Sequence, residues 1–213
     1  MGKLRYRADH VGSLLRGDDV KAARAAHFDT GELSSDGLRD IEDARIDDVV
    51  RRQQAVGLKV VTDGEVRRRF WHYDFMAGLV GLNLVERSEG VQFAGVRLPP
   101  IYPVIDDLFD FPDDHPMLDH YRYLASVTEV QPKISIPGPS CCHFRTAKPT
   151  LRRRNTPTRS VCWTTSQIRT KRRFRRSMTQ AVGSCKWTTS FLPTCVIRST
   201  VPRSRLRALI RTG

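Results

Sequence analysis

Apolar residues recur at helical spacing between Ser34 and Gly57, and charged residues separate them. The apolar positions are Leu38, Ile41, Ala44, Val49 and Val56. This spacing predicts an amphipathic helix that faces a core on one side. Gly57 is well placed to end the helix, because glycine readily adopts the left-handed conformation of a helix C-terminus.

A short apolar segment, Leu58 to Val61, follows at once and ends at Thr62-Asp63-Gly64-Glu65. A helix, a glycine, a short strand and an acidic loop form the order of a β/α unit, in which the loop after the strand carries the chemistry. We therefore expect Asp63 and Glu65 at the carboxyl end of this strand. Without further information, such acids more often cap a turn or pair with neighbouring arginines, here Arg67 to Arg69, than catalyse.

A second strand is predicted from Lys133 to Ile136, because the prolines that follow it forbid its continuation. Between the two strands, the acidic and aromatic segment from Asp106 to Asp119 indicates a long excursion over the mouth of a barrel rather than core. The alternation of Trp71, Tyr73 and Phe75 predicts a packed strand face.

The charge of the chain changes abruptly near residue 146. Residues 1–146 hold 19 Lys and Arg and all 23 Asp and Glu, whereas residues 147–213 hold 17 Lys and Arg and no acid. A folded domain normally mixes both signs over its surface. The second stretch is therefore either a polybasic binding tail or a stretch translated out of frame.

The reading frame can be tested from the protein, since each residue fixes most of its codon. An Asp pair preceded by Leu or Met becomes Trp-Thr-Thr when it is read one base late. This triplet occurs at Trp163-Thr164-Thr165 and at Trp187-Thr188-Thr189. With permitted wobble bases, residues 155–167 become EYPDPERLLDDLA in the earlier frame, a string with acids and with leucines at helical spacing.

The junction of the two frames is simple, because restoring one G turns Thr146 and residues 147–150 into TGEAN. We therefore predict a lost base after Thr146. It divides the chain into part of a domain, residues 1–146, and a basic out-of-frame tail without domain character, residues 147–213. We expect the tail to be disordered or only weakly structured.

Residues 1–146 suit part of one α/β domain and are too short for a closed eightfold barrel of about 250 residues. The chain has no apolar run of about 18 residues and no apolar signal-peptide core, so we expect a cytoplasmic protein without a membrane partner. The five cysteines show no disulfide framework. Cys141 and His143 could share a strand face and bind zinc, but two ligands do not make a closed site.

Three segments carry a family resemblance: RADHVGSLLR at residues 7–16, GLKVVTDGEVRRRFWHYDF at 57–75, and KISIPGPS with HFR at 133–145. Together they resemble the catalytic barrel of cobalamin-independent methionine synthase, and most closely its short stand-alone relatives. The resemblance implies an α/β fold in which the chain forms the N-terminal part of an incomplete (β/α)8 TIM-type barrel.

The resemblance also implies an activity, that of a 5-methyltetrahydropteroyltriglutamate-homocysteine S-methyltransferase. In this family zinc activates the homocysteine thiol as a thiolate, which attacks the methyl group of a methylated folate. By resemblance, the Gly12-Ser13 turn would bind the substrate carboxylate and Glu65 its ammonium group. Asp63 and His10 are expected neighbours of that substrate-binding site.

The zinc ligands of the family are a His-x-Cys pair, a Glu and a distant Cys on later strands. This chain has no His after His143 and no Glu in its tail, and a second expected carboxylate strand, QMDD, is here Lys186-Trp187-Thr188-Thr189. We therefore expect no catalytic residue, no metal ligand and no cofactor in this chain. The prediction is a truncated, inactive relative of the methyltransferases.

A nucleic-acid-binding protein is the alternative, because Arg152 to Arg154 and the run from Lys171 to Arg176 are typical of phosphate-binding segments. Nonspecific, salt-dependent binding of nucleic acid follows from the charge alone. A selected function would require a preference for sequence or structure above that charge.

Overall fold

The computed structural model describes residues 10–86, 92–93, 95–97, 100–137, 141, 172, 176, 185–189 and 194–199. The helices of this part are α1 (Asp18–Phe28), α2 (Ser35–Ala55), α3 (Tyr73–Ala77) and α4 (Pro116–Val127). Its strands are β1 (Val60–Val61), β2 (Val80–Glu86), β3 (Gln92–Phe93), β4 (Val96–Arg97), β5 (Ile101–Asp110), β6 (Gln131–Pro137), β7 (Cys185–Thr189) and β8 (Thr194–Ser199). The architecture is mixed α/β. No helix in this part of the chain is both long and apolar enough to cross a membrane.

Helix α2 confirms the first predicted helix. Its N-cap is Ser34, whose hydroxyl accepts a hydrogen bond from Gly37 N at 3.1 Å. The chain leaves the helix through Gly57, which has a φ of 84° that favours glycine. Val56 lies just past the last turn and is 77% exposed, so it does not belong to the buried face as the periodicity predicted.

Strands β1 and β6 confirm the two predicted strands and pair in parallel, with Val60 opposite Gln131 and Val61 opposite Pro132. Each strand is preceded by a helix, α2 before β1 and α4 before β6. Parallel strands joined through helices are the repeating unit of α/β folds. Val61, the last residue of β1, lies opposite Pro132 near the start of β6, so the loop that follows β1 lies beside the later residues of β6.

Two short segments of the tail form strands. Strand β8 pairs antiparallel with β6, and β7 pairs antiparallel with β8, so the sheet has the order β1-β6-β8-β7. Both are rich in β-branched and aromatic residues, and the edge of β6 offers unpaired backbone groups for them to bind. Their antiparallel direction is not the parallel continuation that a (β/α)8 barrel requires.

The segment from Asp106 to Asp119 was expected to be a long excursion over the mouth of a barrel rather than core, but it contributes Phe111, Met117 and Leu118 to a hydrophobic core. Its first part completes β5, which pairs antiparallel with β2, and its last part begins α4. Pro116 occupies the first turn of α4. Proline is favoured there because its missing N–H would have no helical partner, so a residue that suggested a loop begins a helix.

The aromatic alternation from Trp71 to Phe75 is also not a strand, since α3 begins at Tyr73. The packing role nevertheless holds. Phe75 is 3% exposed in a core formed by α3, β2, β5, α4 and β6, and Trp71 and Tyr73 pack against that core. Over five residues, helical spacing and strand alternation overlap. A pattern this short therefore does not distinguish a helix from a strand.

A second hydrophobic core joins α1 and α2 to β1 and the loop after it. Its buried members are Val20, Ile46, Val49, Val50, Val61, Val66 and Leu124. Leu124 comes from α4, whose Leu118 and Tyr121 belong to the first core. Helix α4 therefore connects the two cores and fixes the loop after β1 between them.

Candidate substrate-binding site

The loop after β1 has a defined backbone conformation. The Asp63 carboxylate accepts a hydrogen bond from Glu65 N through Oδ1 at 3.0 Å, and the Thr62 hydroxyl accepts one from Gly64 N at 3.2 Å. Gly64 and Glu65 both have positive φ angles, 65° and 55°. For glutamate this left-handed conformation costs on the order of 1 kcal/mol or more, and such strain concentrates at functional sites.

The Glu65 side chain connects this loop to strand β6. It is buried, and its Oε1 accepts a hydrogen bond from the Ser135 hydroxyl at 2.8 Å. The Arg68 guanidinium lies 3.5 Å from the same oxygen and also donates to the Ser135 carbonyl. Arg68 is only 2% exposed, so Glu65 is the charge that compensates a buried cation.

Asp63 is the other buried acid of the loop, with 1% of its surface exposed. Its Oδ1 holds the turn, whereas its Oδ2 is buried and has no hydrogen-bond partner among the described residues. A buried carboxylate oxygen without a partner is costly. Asp63 therefore presents an open acceptor at the carboxyl end of β1.

The Gly12-Ser13 segment lies beside this loop. Leu14 N donates to the Gly64 carbonyl at 3.0 Å, and Arg16 donates to the carbonyls of Glu65 at 2.8 Å and Val66 at 3.1 Å. Gly12 has a φ of 101°, a conformation that side chains rarely adopt. Ser13 is exposed, and its hydroxyl donates to the adjacent Leu14 carbonyl at 3.1 Å.

His10 is linked to the site through Gln53, which bonds both His10 and Thr62. The His10 Nε2 lies 3.0 Å from Gln53 Oε1, which accepts a hydrogen bond, so this ring nitrogen carries the proton. Gln53 also bonds the Thr62 carbonyl at 2.8 Å and the Thr62 N–H at 3.0 Å. In addition, the buried Lys133 ammonium donates to the His10 carbonyl. These bonds fix the end of β1, from which the acidic loop departs.

Sequence reasoning missed Gln53 and Ser135, whereas Arg68 belongs to the arginine run that was suggested as a partner of the acids. The signal for Gln53 was present, because it stands one helical turn after Val49 on the mostly apolar buried face of α2. A polar residue at a core position normally has a partner. No comparable signal marked Ser135, whose partner is 70 residues away in the chain.

The five predicted substrate-binding residues thus fall in one region, in which His10 and the Gly12-Ser13 turn adjoin the loop that carries Asp63 and Glu65. The described residues give less support for a zinc site. In the part of the chain that the structure describes, no three His, Cys, Asp or Glu side chains are arranged to hold a metal ion. Cys141 is buried, and its suggested partner His143 lies outside the described residues. Among the residues that the structure describes, no set of side chains fits the zinc of the resembled family.

The fold and the acidic loop define the class first: a mixed α/β protein with structural similarity to methionine synthase domains. A solved structure from Listeria monocytogenes, described provisionally as a vitamin-B12-independent methionine synthase, is 29% identical and has a TM-score of 0.64. The similarity covers 83% of this chain and 49% of that one. A B12-independent methionine synthase from Shewanella sp. W3-18-1 is 15% identical with a TM-score of 0.50, over 70% of this chain and 41% of that one, which concerns the fold alone.

Two proteins of Bacillus subtilis (strain 168) are similar in sequence, and both are named as uncharacterized. YxjH is 42% identical over 143 residues, and YxjG is 41% identical over 141 residues. These matches cover 67% and 66% of this chain but 37% of each relative, so the chain spans little more than a third of their length. No protein-family model matches the chain.

Proposed function

We propose that residues 1–146 are the N-terminal part of a cobalamin-independent methionine synthase barrel, closest to the short stand-alone members. They would retain one half of the site that binds the amino-acid end of homocysteine. The observation that carries this proposal is the loop of Asp63 and Glu65, in which two carboxylates are buried at the end of a parallel strand and Glu65 adopts a left-handed conformation. Strain and buried charge in one loop support a binding role over a purely structural one.

Each residue has a separate role in this proposal. Glu65 compensates the substrate ammonium, in competition with Arg68, which lies 3.5 Å from its carboxylate. The open Oδ2 of Asp63 accepts a further hydrogen bond from the same ammonium group. The Gly12-Ser13 turn donates to the substrate carboxylate, because Ser13 is exposed and Gly12 lets the backbone approach a ligand closely. His10 positions the loop through Gln53 and does not touch the substrate.

The proposal includes no methyl transfer by this chain. Bound zinc would supply the chemistry by converting the thiol to a thiolate. The 213 residues contain no His after His143 and no Glu after Glu129, whereas the resembled family takes its ligands from later strands. Methylated folate would accordingly find no activated thiol in this chain.

We attribute the basic tail to a lost base after Thr146. The similarity to YxjH extends over 143 residues, a length close to that of the segment before the predicted break. Sequencing of the DNA across the codons of Thr146 and Ala147 tests this point. A run of G one base short of the TGEAN reading supports it, and codons that forbid that reading reject it.

The binding proposal is tested by isothermal titration of the full chain with homocysteine and with methionine. We expect weak binding that Glu65→Gln reduces about tenfold or more, since a charge-assisted hydrogen bond contributes roughly 1.5–3 kcal/mol. Glu32→Gln is the control, because Glu32 is an exposed acid outside the site. Binding that Glu65→Gln leaves unchanged contradicts the proposal, and turnover of homocysteine to methionine with added zinc contradicts the predicted inactivity.

A second candidate function is nucleic-acid binding by the tail, favoured by its 17 Lys and Arg without a single acid. Electrostatic binding of this kind weakens steeply with salt and does not discriminate between sequences. Competition between unrelated RNA and DNA sequences at physiological salt separates the two cases. A preference of tenfold or more for one nucleic-acid sequence would favour a selected function. Equal affinities would show that the tail binds nucleic acid through its charge alone.

A further inference from the structure

A cavity lies between the N-terminal halves of α2 and α4, where the end of α1 closes one side. Its volume is about 230 Å³. A cavity of roughly 150 Å³ holds a benzene molecule, so this one has room for a small ligand of several non-hydrogen atoms. Its wall includes Ser35, Arg39, Glu42, Arg67, Asp119 and His120. None of these residues belongs to the five of the candidate substrate site.

The two acids of this wall are already neutralised by arginines outside it. Glu42 accepts a hydrogen bond from Arg24 at 2.6 Å, and Asp119 accepts one from Arg122 at 2.6 Å. Burial raises the pKa of Glu42 above its usual value, against the guanidinium groups of Arg24 and Arg67. Both carboxylates of the wall therefore already have an arginine partner.

The two arginines of the wall have unused donors. The Arg67 side chain is only 7% exposed, and its Nη2 pairs with Asp43. Its Nη1 is buried and has no hydrogen-bond partner among the described residues. Arg39 is exposed, and within the described part of the chain it takes part in no ion pair. The guanidinium of Arg67 is held in place over the Tyr123 ring, 4.8 Å from its centre.

His120 adds a third polar group to the wall of the cavity. Its Nδ1 is buried without a hydrogen-bond partner among the described residues. Burial, together with the nearby guanidinium groups of Arg67, Arg68 and Arg39, lowers the pKa of His120 to about 3. These guanidinium groups place positive charge close to the imidazole, so an anion bound beside it would be stabilised.

We propose that this cavity binds a small oxyanion of the phosphate class, held by Arg39 and Arg67 and by the neutral imidazole of His120. Guanidinium groups bind phosphate and its esters through paired charge-assisted hydrogen bonds. The buried, unpaired Nη1 of Arg67 acquires an acceptor in this arrangement, which removes a cost that the empty cavity carries. The site is independent of the proposed substrate site and of the origin of the tail.

The test is a titration of the full chain with inorganic phosphate. Binding is measured by calorimetry and by the change in the NMR signals of the histidine rings. The basic tail also attracts anions, so the control must separate a site from general charge. Arg39→Gln and Arg51→Gln remove the same charge from exposed positions of the same helix, and only Arg39 faces the cavity. Neither position is in a core, so both variants should fold.

We expect Arg39→Gln to weaken phosphate binding about tenfold, as the loss of a charge-assisted hydrogen bond predicts, and Arg51→Gln to leave it unchanged. Phosphate should shift the ring signals of His120 and leave those of His115 in place. Equal effects of the two variants, or phosphate that does not move the His120 signals, overturn the proposal. A titration with glycerol phosphate then identifies the source. Tighter binding than that of phosphate indicates a phosphorylated metabolite, and weaker binding indicates the free ion.

Discussion

His115 makes the stability of this fold depend on pH in a predictable direction. The ring is 1% exposed and stacks on Phe111 with the ring centres 4.4 Å apart. Its Nδ1 accepts a hydrogen bond from Met117 N at 3.1 Å, which caps α4. The proton must therefore be on Nε2, which donates to the Phe75 carbonyl at 3.0 Å. Protonation of Nδ1 would break the cap and bury a charge.

Burial lowers the pKa of His115 from 6.5 to about 4. Because the folded-state pKa lies below the unfolded one, the unfolded chain takes up the proton first as the pH falls. The contribution to stability is complete above pH 6.5 and is lost progressively towards pH 4. Linkage between these two pKa values gives a loss of about 2 kcal/mol of unfolding free energy between pH 7 and pH 5.

The assay is urea unfolding at pH 7 and pH 5 of the parent chain and of His115→Asn. His120, with a pKa of about 3, loses a similar amount of stability in both proteins and cancels in the comparison. We expect the variant to lose about 2 kcal/mol less than the parent over this interval. An NMR titration of the parent measures the same pKa directly. Equal losses in the two proteins, or a His115 pKa near 6.5, would refute the reasoning.

Three further substitutions test the packing and the polar contacts. Gly78→Ala places a methyl group 2.6 Å from the His115 ring, which is fixed by two hydrogen bonds, so we expect a loss of about 1–3 kcal/mol in urea unfolding. Glu65→Ala leaves the buried Arg68 without its partner carboxylate and should cost about 3 kcal/mol, measured by thermal unfolding. Ser34→Ala removes the N-cap of α2 and should cost about 1 kcal/mol, together with a loss of helical signal in circular dichroism.

Two of these changes, Gly78→Ala and Glu65→Ala, have a control in the same chain. Gly37→Ala also meets a neighbour at 2.8 Å, but that atom is the end of the flexible Leu33 side chain, so the helix should tolerate it. Lys21→Ala breaks an exposed ion pair with Asp18 and should leave the melting temperature within error. A Gly37→Ala variant as unstable as Gly78→Ala would contradict the packing argument, and so would a Lys21→Ala variant as unstable as Glu65→Ala.

The candidate site was only partly predictable. Asp63 and Glu65 were located because they follow a recognisable strand, and the structure places both in the loop after β1. The nearby partner of Glu65, Arg68, belongs to the arginine run that the sequence suggested, whereas its distant partner Ser135 was not located, because it reaches Glu65 from another element. A sequence shows that a buried acid needs compensation but does not show which distant residue supplies it.

The sequence alone determined the elements whose signals are local. Helix α2 follows from its apolar period, its serine N-cap and its closing glycine, and β1 and β6 follow from short apolar runs that end in turns or prolines. The change in charge after residue 146 is likewise a property of the sequence. Only the tertiary structure decided that β8 joins the sheet antiparallel, that Pro116 begins a helix, and that Arg39, Arg67 and His120 line one cavity. The reason is physical: helix periods and caps act within a few residues, whereas strand direction and side-chain partners depend on which distant surfaces bury one another.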